Sequence, residues 1–129
     1  MGGPLDGVKV IEFGQEIQGP FAGLLLSYMG AQIYKVERRE GGDLARRAAA
    51  RWVDKLKGVS PYFLSFNRGK RSITLDLKTP EAREVVYRLA QKADVVISNW
   101  REGVLDRLQL GYEDLKARNP RIIYAQASG

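Results

Sequence analysis

The chain contains neither cysteine nor histidine, so its chemistry falls to carboxylates, amines, guanidinium groups, hydroxyls and backbone amides. That excludes thiolate nucleophiles, Ser-His-Asp triads, disulfides and nearly every transition-metal site. Candidates gather in five short segments: Gly14-Gln15-Glu16-Ile17-Gln18-Gly19-Pro20, Glu37-Arg38-Arg39, Leu75-Asp76-Leu77-Lys78, Asn99-Trp100-Arg101 and Ala127-Ser128-Gly129. Three of them offer Arg or Lys, and one sets an indole beside a guanidinium. Such cations suit phosphates, and an indole or amide suits a nucleotide base. Neither a G-x-G-x-x-G fingerprint nor a Walker sequence is present, which disfavours a standard dinucleotide or ATP site.

These segments need strands and helices to hold them, and the apolar pattern predicts both. Val8–Phe13 is a strand introduced by the turn Asp6-Gly7. Gly19-Pro20 opens a helix in which Phe21, Leu24, Leu25 and Tyr28 repeat at helical spacing, predicting a buried stripe that ends at Gly30. Gln32–Val36 is a second strand. Residues 40–58 break the rhythm, with a turn at Glu40–Asp43, a short basic helix over Leu44–Arg51 and no period over Trp52–Gly58. Tyr62–Phe66 predicts a short buried helix, and Ser72–Asp76 a third strand. Thr79, Pro80 and Glu81 start a helix whose inner stripe is Ala82, Val85, Val86 and Leu89. Asp94–Asn99 and Arg121–Gln126 are the fourth and fifth strands, separated by short helices over Gly103–Leu108 and Tyr112–Arg118. The alternation predicts an α/β fold with a mostly parallel sheet and helices on both faces, one domain over residues 1–129. The five segments then fall at carboxyl ends of strands, where open α/β sheets take their ligands.

Plainer readings stand beside these. Gly14–Pro20 fits a simple strand-to-helix turn, Glu37–Arg39 solvated charge, and Arg68–Arg71 a solvated turn. Asp76 reads as a turn or cap carboxylate, and Trp100 fits a core position under a loop as well as stacking on a ligand. A net charge of +6 makes anionic partners plausible but also serves solubility. Leu24–Leu26 is too short to span a bilayer, and Asp6 stands where a myristoylation signal needs Ser or Thr. A cytoplasmic protein is the expectation.

Specific strings carry more. Pro4-Leu5-Asp6-Gly7-Val8-Lys9-Val10 leads to Gly19-Pro20-Phe21, Gly30-Ala31-Gln32 and Lys35-Val36-Glu37. Gly42-Asp43, Asn67-Arg68-Gly69-Lys70-Arg71-Ser72 and Leu75-Asp76-Leu77-Lys78-Thr79-Pro80 follow. Then come Ala93-Asp94-Val95-Val96, Asn99-Trp100, Gly103-Val104-Leu105, Leu110-Gly111-Tyr112 and Asn119-Pro120-Arg121. In this order, across nearly the whole chain, they resemble the N-terminal part of a family III CoA-transferase. That family includes formyl-CoA:oxalate and carnitine CoA-transferases and the α-methylacyl-CoA racemases.

The resemblance implies a CoA-binding, Rossmann-like domain belonging to a longer chain that forms an interlocked homodimer. Carried over by position, the CoA contacts are Ile17, Gln18, Arg38, Leu75, Asp76, Leu77, Lys78, Asn99, Trp100, Arg101 and Arg107. Arg38 and Arg107 then face phosphates, Leu75–Lys78 line adenine and ribose, and Asn99–Arg101 hold the nucleotide and the start of the pantetheine. Gln15 and Glu16 fall near the acyl end as substrate-orienting residues. Two departures are visible: Gln18 stands where many members have Ala, and Trp100 where Phe is usual. The family's nucleophile is an Asp further along its longer chains, and Asp6, Asp76 and Asp94 do not match it. The resemblance therefore implies acyl-CoA and a carboxylic acid as substrates, no metal, and no catalytic nucleophile within these residues, leaving the 129-residue chain inactive alone. Alternatives are a racemase or dehydratase of the same family, or a non-enzymatic basic module binding nucleic acid with steep salt dependence.

Overall fold

In the computed structural model, residues 2–48 and 59–127 are described. Five strands, β1 (Lys9–Phe13), β2 (Gln32–Arg38), β3 (Arg71–Leu75), β4 (Val95–Ser98) and β5 (Ile123–Gln126), form one sheet in the order β3-β2-β1-β4-β5. Every described pairing is parallel. Between them run α1 (Gln18–Tyr28), a 3-10 turn (Leu44–Arg46), α2 (Pro61–Asn67), α3 (Pro80–Ala90), α4 (Val104–Arg107) and α5 (Tyr112–Lys116).

The two faces of the sheet differ in chemistry. Ile11 and Phe13 of β1, Val36 of β2 and Val96 of β4 meet Val86 and Ala90 of α3, Leu105 of α4 and Leu115 of α5 in the larger core. The start of α3 forms as its sequence dictates, with the Thr79 hydroxyl accepting from Ala82 N–H at 3.3 Å and Pro80 in the first turn. On the other face, Val10, Ala31, Ile33 and Ile97 make a smaller apolar cluster, with Leu26 of α1 packed against it. Toward the carboxyl ends of the strands that face becomes charged, because Glu12, Lys35 and Glu37 are buried there.

Helix α1 corrects the expected stripe. Its buried residues are Gly19, Pro20, Gly23 and Leu24, whereas Phe21, Leu25 and Tyr28 are exposed. A Cβ on Gly19 would sit 2.9 Å from Asn99 Oδ1, and one on Gly23 would overlap Glu12 Oε2. Close approach to the sheet is thus achieved by missing side chains rather than by large apolar ones. Helix α2 is a second correction: it forms, capped by the Ser60 hydroxyl accepting from Phe63 N–H at 3.2 Å, but none of its residues is fully buried. The basic helix expected from Leu44 is a 3-10 turn ending at Arg46; the remainder of that segment from residue 49, with Trp52–Gly58, lies outside the described residues.

Candidate functional site

Strand order places β1 between β2 and β4, so the chain's direction of progression reverses between β1 and β4. Crevices outside the carboxyl ends of strands at such a reversal are the usual ligand sites of open parallel sheets. A cleft of about 640 Å3 opens there, lined by Gln15, Glu16, Ile17, Gln18, Arg38, Leu44, Asn99, Trp100, Arg101 and Val104. Beside it, beyond β2 and β3, lies a second cleft of about 610 Å3 lined by Arg38, Arg39, Glu40, Leu75, Asp76, Leu77, Lys78, Trp100 and Leu108. Arg38 and Trp100 line both, so the two clefts are neighbours.

Of the CoA-contact and substrate-orienting residues implied by the resemblance, all but one line these clefts. Arg107, the last residue of α4, stands outside both linings. Arg38, Arg39, Lys78 and Arg101 provide cations, alongside the carboxylates of Glu16, Glu40 and Asp76. The Asp76 carboxylate accepts from Lys78 N–H at 3.2 Å, a turn contact. Trp100 is half-buried, with its ring edge-on to Phe13 at 5.9 Å between centroids. Its indole N–H is buried without an acceptor among the described residues. Leaving such a donor unpaired costs about 1–3 kcal/mol.

The wall of the first cleft is the β1–α1 loop, and its backbone is tied on three sides. Asn99 Oδ1 accepts from Gln15 N–H at 2.8 Å, while Asn99 Nδ2 donates to Gln15 O at 2.9 Å. Lys35 Nζ donates to Gly14 O at 2.7 Å, and Asp43 Oδ1 accepts from Glu16 N–H at 2.9 Å. Glu16 adopts φ 61°, a left-handed conformation that a non-glycine residue holds only where neighbours fix it. The loop then delivers the N-terminus of α1, which has no side-chain cap, to the cleft wall at Ile17 and Gln18. Its positive dipole end favours an anion there.

Lys35 and Asp43 belong to a buried ion network that sequence reasoning missed. Lys35 Nζ lies 2.9 Å from Glu12 Oε1 and 2.8 Å from Asp43 Oδ2. Lys70 Nζ pairs with Glu12 Oε2 at 2.8 Å and donates to Pro20 O at 2.7 Å. Burial pushes the Lys70 amine below its ordinary pKa, with the Glu12 charge opposing the shift. Glu37 takes Arg46 through both oxygens, Nε to Oε2 and Nη2 to Oε1, each at 2.7 Å. Ser72 Oγ and Asp43 N–H add bonds of 2.6 and 2.9 Å. Burial alone would raise the Glu37 pKa, but these donors prevail and bring it down to about 2. The same pairing raises the pKa of Arg46. A signal existed in the sequence: Lys35 and Glu37 are two apart in a strand, on one face, with Glu12 opposite Lys35 in register. Charges inside a parallel strand covered on both faces must be paired.

Among the described residues no cluster of acidic side chains could hold a metal ion, and no helix is long and apolar enough to cross a membrane. Comparison with known proteins gives a consistent result. The chain is 44% identical to a succinate–glutarate CoA-transferase of Agrobacterium fabrum over 98% of its length, covering 32% of that protein. It is 42% identical to a formyl-CoA:oxalate CoA-transferase of Rhodopseudomonas palustris over 97% of its length, covering 29% of that protein. The chain thus spans about a third of the length of the curated relatives it matches. In three dimensions it superposes on a CAIB/BAIF family protein from Brucella suis with a TM-score of 0.86 at 45% identity, covering 98% of this chain and 33% of the other. Residues 5–129 match the family model described as CoA-transferase family III. The chain belongs to CoA-transferase family III.

Proposed function

We propose that this chain forms the CoA-binding crevice of an enzyme that moves CoA between carboxylic acids. The observation that carries this reading is the pair of neighbouring clefts at the carboxyl edge of the sheet, with Arg38 and Trp100 common to both. CoA is a long ligand with an anionic nucleotide end and a narrower pantetheine arm, and two adjoining clefts suit that shape. In this reading Leu75, Asp76, Leu77 and Lys78 line adenine and ribose in the second cleft. Arg38 meets phosphate at the junction, and Arg107 reaches the phosphates from α4. Asn99, Trp100 and Arg101 hold the nucleotide and the start of the pantetheine, which passes Ile17 and Gln18. Gln15 and Glu16 orient the acyl group.

The buried carboxylates Glu12, Glu37 and Asp43 are committed to ion pairs. In this reading, as the family resemblance implies, the nucleophile is an Asp further along the family's longer chains, and these 129 residues alone perform no turnover. The whole protein acts as a cytoplasmic homodimer on acyl-CoA and a free acid. Calorimetric titration of the full protein with CoA tests the reading. Arg38→Ala should weaken binding about tenfold, the worth of one charge-assisted phosphate contact. A folded full protein that binds no CoA would overturn it.

A further inference from the structure

We infer that Asp43, which does not line either cleft, is a positioning residue that sets the wall of the first one. This rests on the reading of that cleft as the CoA site. Asp43 is 2% exposed, and each of its carboxylate oxygens has a separate task. Oδ1 accepts from Glu16 N–H and Ala45 N–H, both at 2.9 Å, while Oδ2 meets Lys35 Nζ at 2.8 Å. One side chain therefore joins two walls that are distant in sequence: the β1–α1 loop and the 3-10 turn carrying Leu44.

The turn itself cannot drift, because the ion-paired Glu37 accepts from Asp43 N–H at 2.9 Å. Force is thus passed from the sheet through Glu37 to Asp43, and from Asp43 to the loop. What the loop needs from Asp43 is specific. Glu16 sits at φ 61°, which costs a residue bearing a Cβ energy and costs glycine almost none. Asp43 holds that conformation by accepting the Glu16 amide, and Glu16, Ile17 and Gln18 are thereby aimed along the cleft. An amide cannot substitute, because both oxygens face donors and one would become a donor itself.

The test is CoA titration of the full protein beside thermal unfolding, with Ile33→Ala as a control. Ile33 lies in the smaller apolar cluster, none of whose residues lines either cleft, so that variant should melt earlier while binding CoA as wild type does. Asp43→Ala and Asp43→Asn should each weaken CoA at least tenfold. Adding Glu16→Gly to Asp43→Ala should recover threefold or more, since glycine adopts the left-handed backbone unaided. Should the Asp43 variants fail to fold, amide exchange of the wild-type protein decides: the N–H of the exposed Glu16, held by Asp43, should exchange at least tenfold more slowly than an unbonded loop amide. If Asp43→Ala melts early yet binds CoA within twofold of wild type, or the Glu16 amide exchanges as an unbonded one, the positioning role is wrong. Wild-type protein that binds no CoA instead removes the functional reading and this inference together.

Discussion

The ion pair between Glu37 and Arg46 makes a quantitative prediction about acid stability. Glu37 is 3% exposed and its carboxyl titrates at about 2, against 4.5 for an unperturbed Glu. Each pH unit of that gap is worth about 1.4 kcal/mol, so the folded state gains roughly 3 kcal/mol from ionised Glu37. Because the folded pKa is depressed, the gain is fully present above about pH 4.5 and disappears as pH falls through about 2. Glu37→Gln removes the titration and sets an amide among Arg46, Ser72 and Asp43 N–H, all of which donate to Glu37. Urea unfolding of wild type and Glu37→Gln, followed by circular dichroism from pH 7 to pH 2, should show a gap of about 3 kcal/mol at neutral pH. The gap should narrow progressively below pH 4.5. Two curves that stay parallel throughout would refute the reasoning, since they would mean that Glu37 does not titrate differently in the folded state.

Other outcomes follow from equally local features. Gly23→Ala drives a methyl into Glu12 Oε2 and should destabilise by about 2–3 kcal/mol, read as a lowered Tm. Asn99→Ala removes both bonds to the Gln15 backbone; hydrogen exchange should show the Gln15 amide losing at least tenfold in protection. Burial, reinforced by Asp106 and Asp114, raises the Tyr124 pKa to about 12. Stability should therefore fall between pH 10 and 12 in wild type, and that fall should be smaller in Tyr124→Phe.

Helix α3 was legible because its signals are local: Thr79, Pro80 and Glu81 mark the start, and Ala82 and Val86 mark the buried side. Helix α1 was legible in extent but not in orientation. Its periodic large residues, Phe21, Leu25 and Tyr28, face outward, and the face that meets the sheet is written in glycines, which carry no hydropathy signal. The cleft walls could be read because strand ends locate them: Arg38 ends β2, and Lys78 and Trp100 follow β3 and β4 within three residues. The supports behind the walls could not. Asp43 and Lys70 look like loop charges in sequence, and only the sheet's third dimension brings them to Lys35 and Glu12. Lys35 and Glu37 were hidden in plain view, since charges at alternate strand positions usually mean a solvated face.

The sharing of Arg38 and Trp100 between the two clefts has a thermodynamic consequence for any molecule long enough to occupy both. Two separate fragments, one per cleft, contend for the same guanidinium and the same indole, so the binding of either alters the affinity of the other by a reciprocal factor. Join those fragments covalently and the second contact becomes intramolecular, at an effective concentration in the millimolar range for a short flexible tether. Two shallow, open recesses that hold their halves weakly can then retain the whole tightly. In such an arrangement the connection between the halves contributes selectivity, and a truncated ligand loses more affinity than its missing contacts account for.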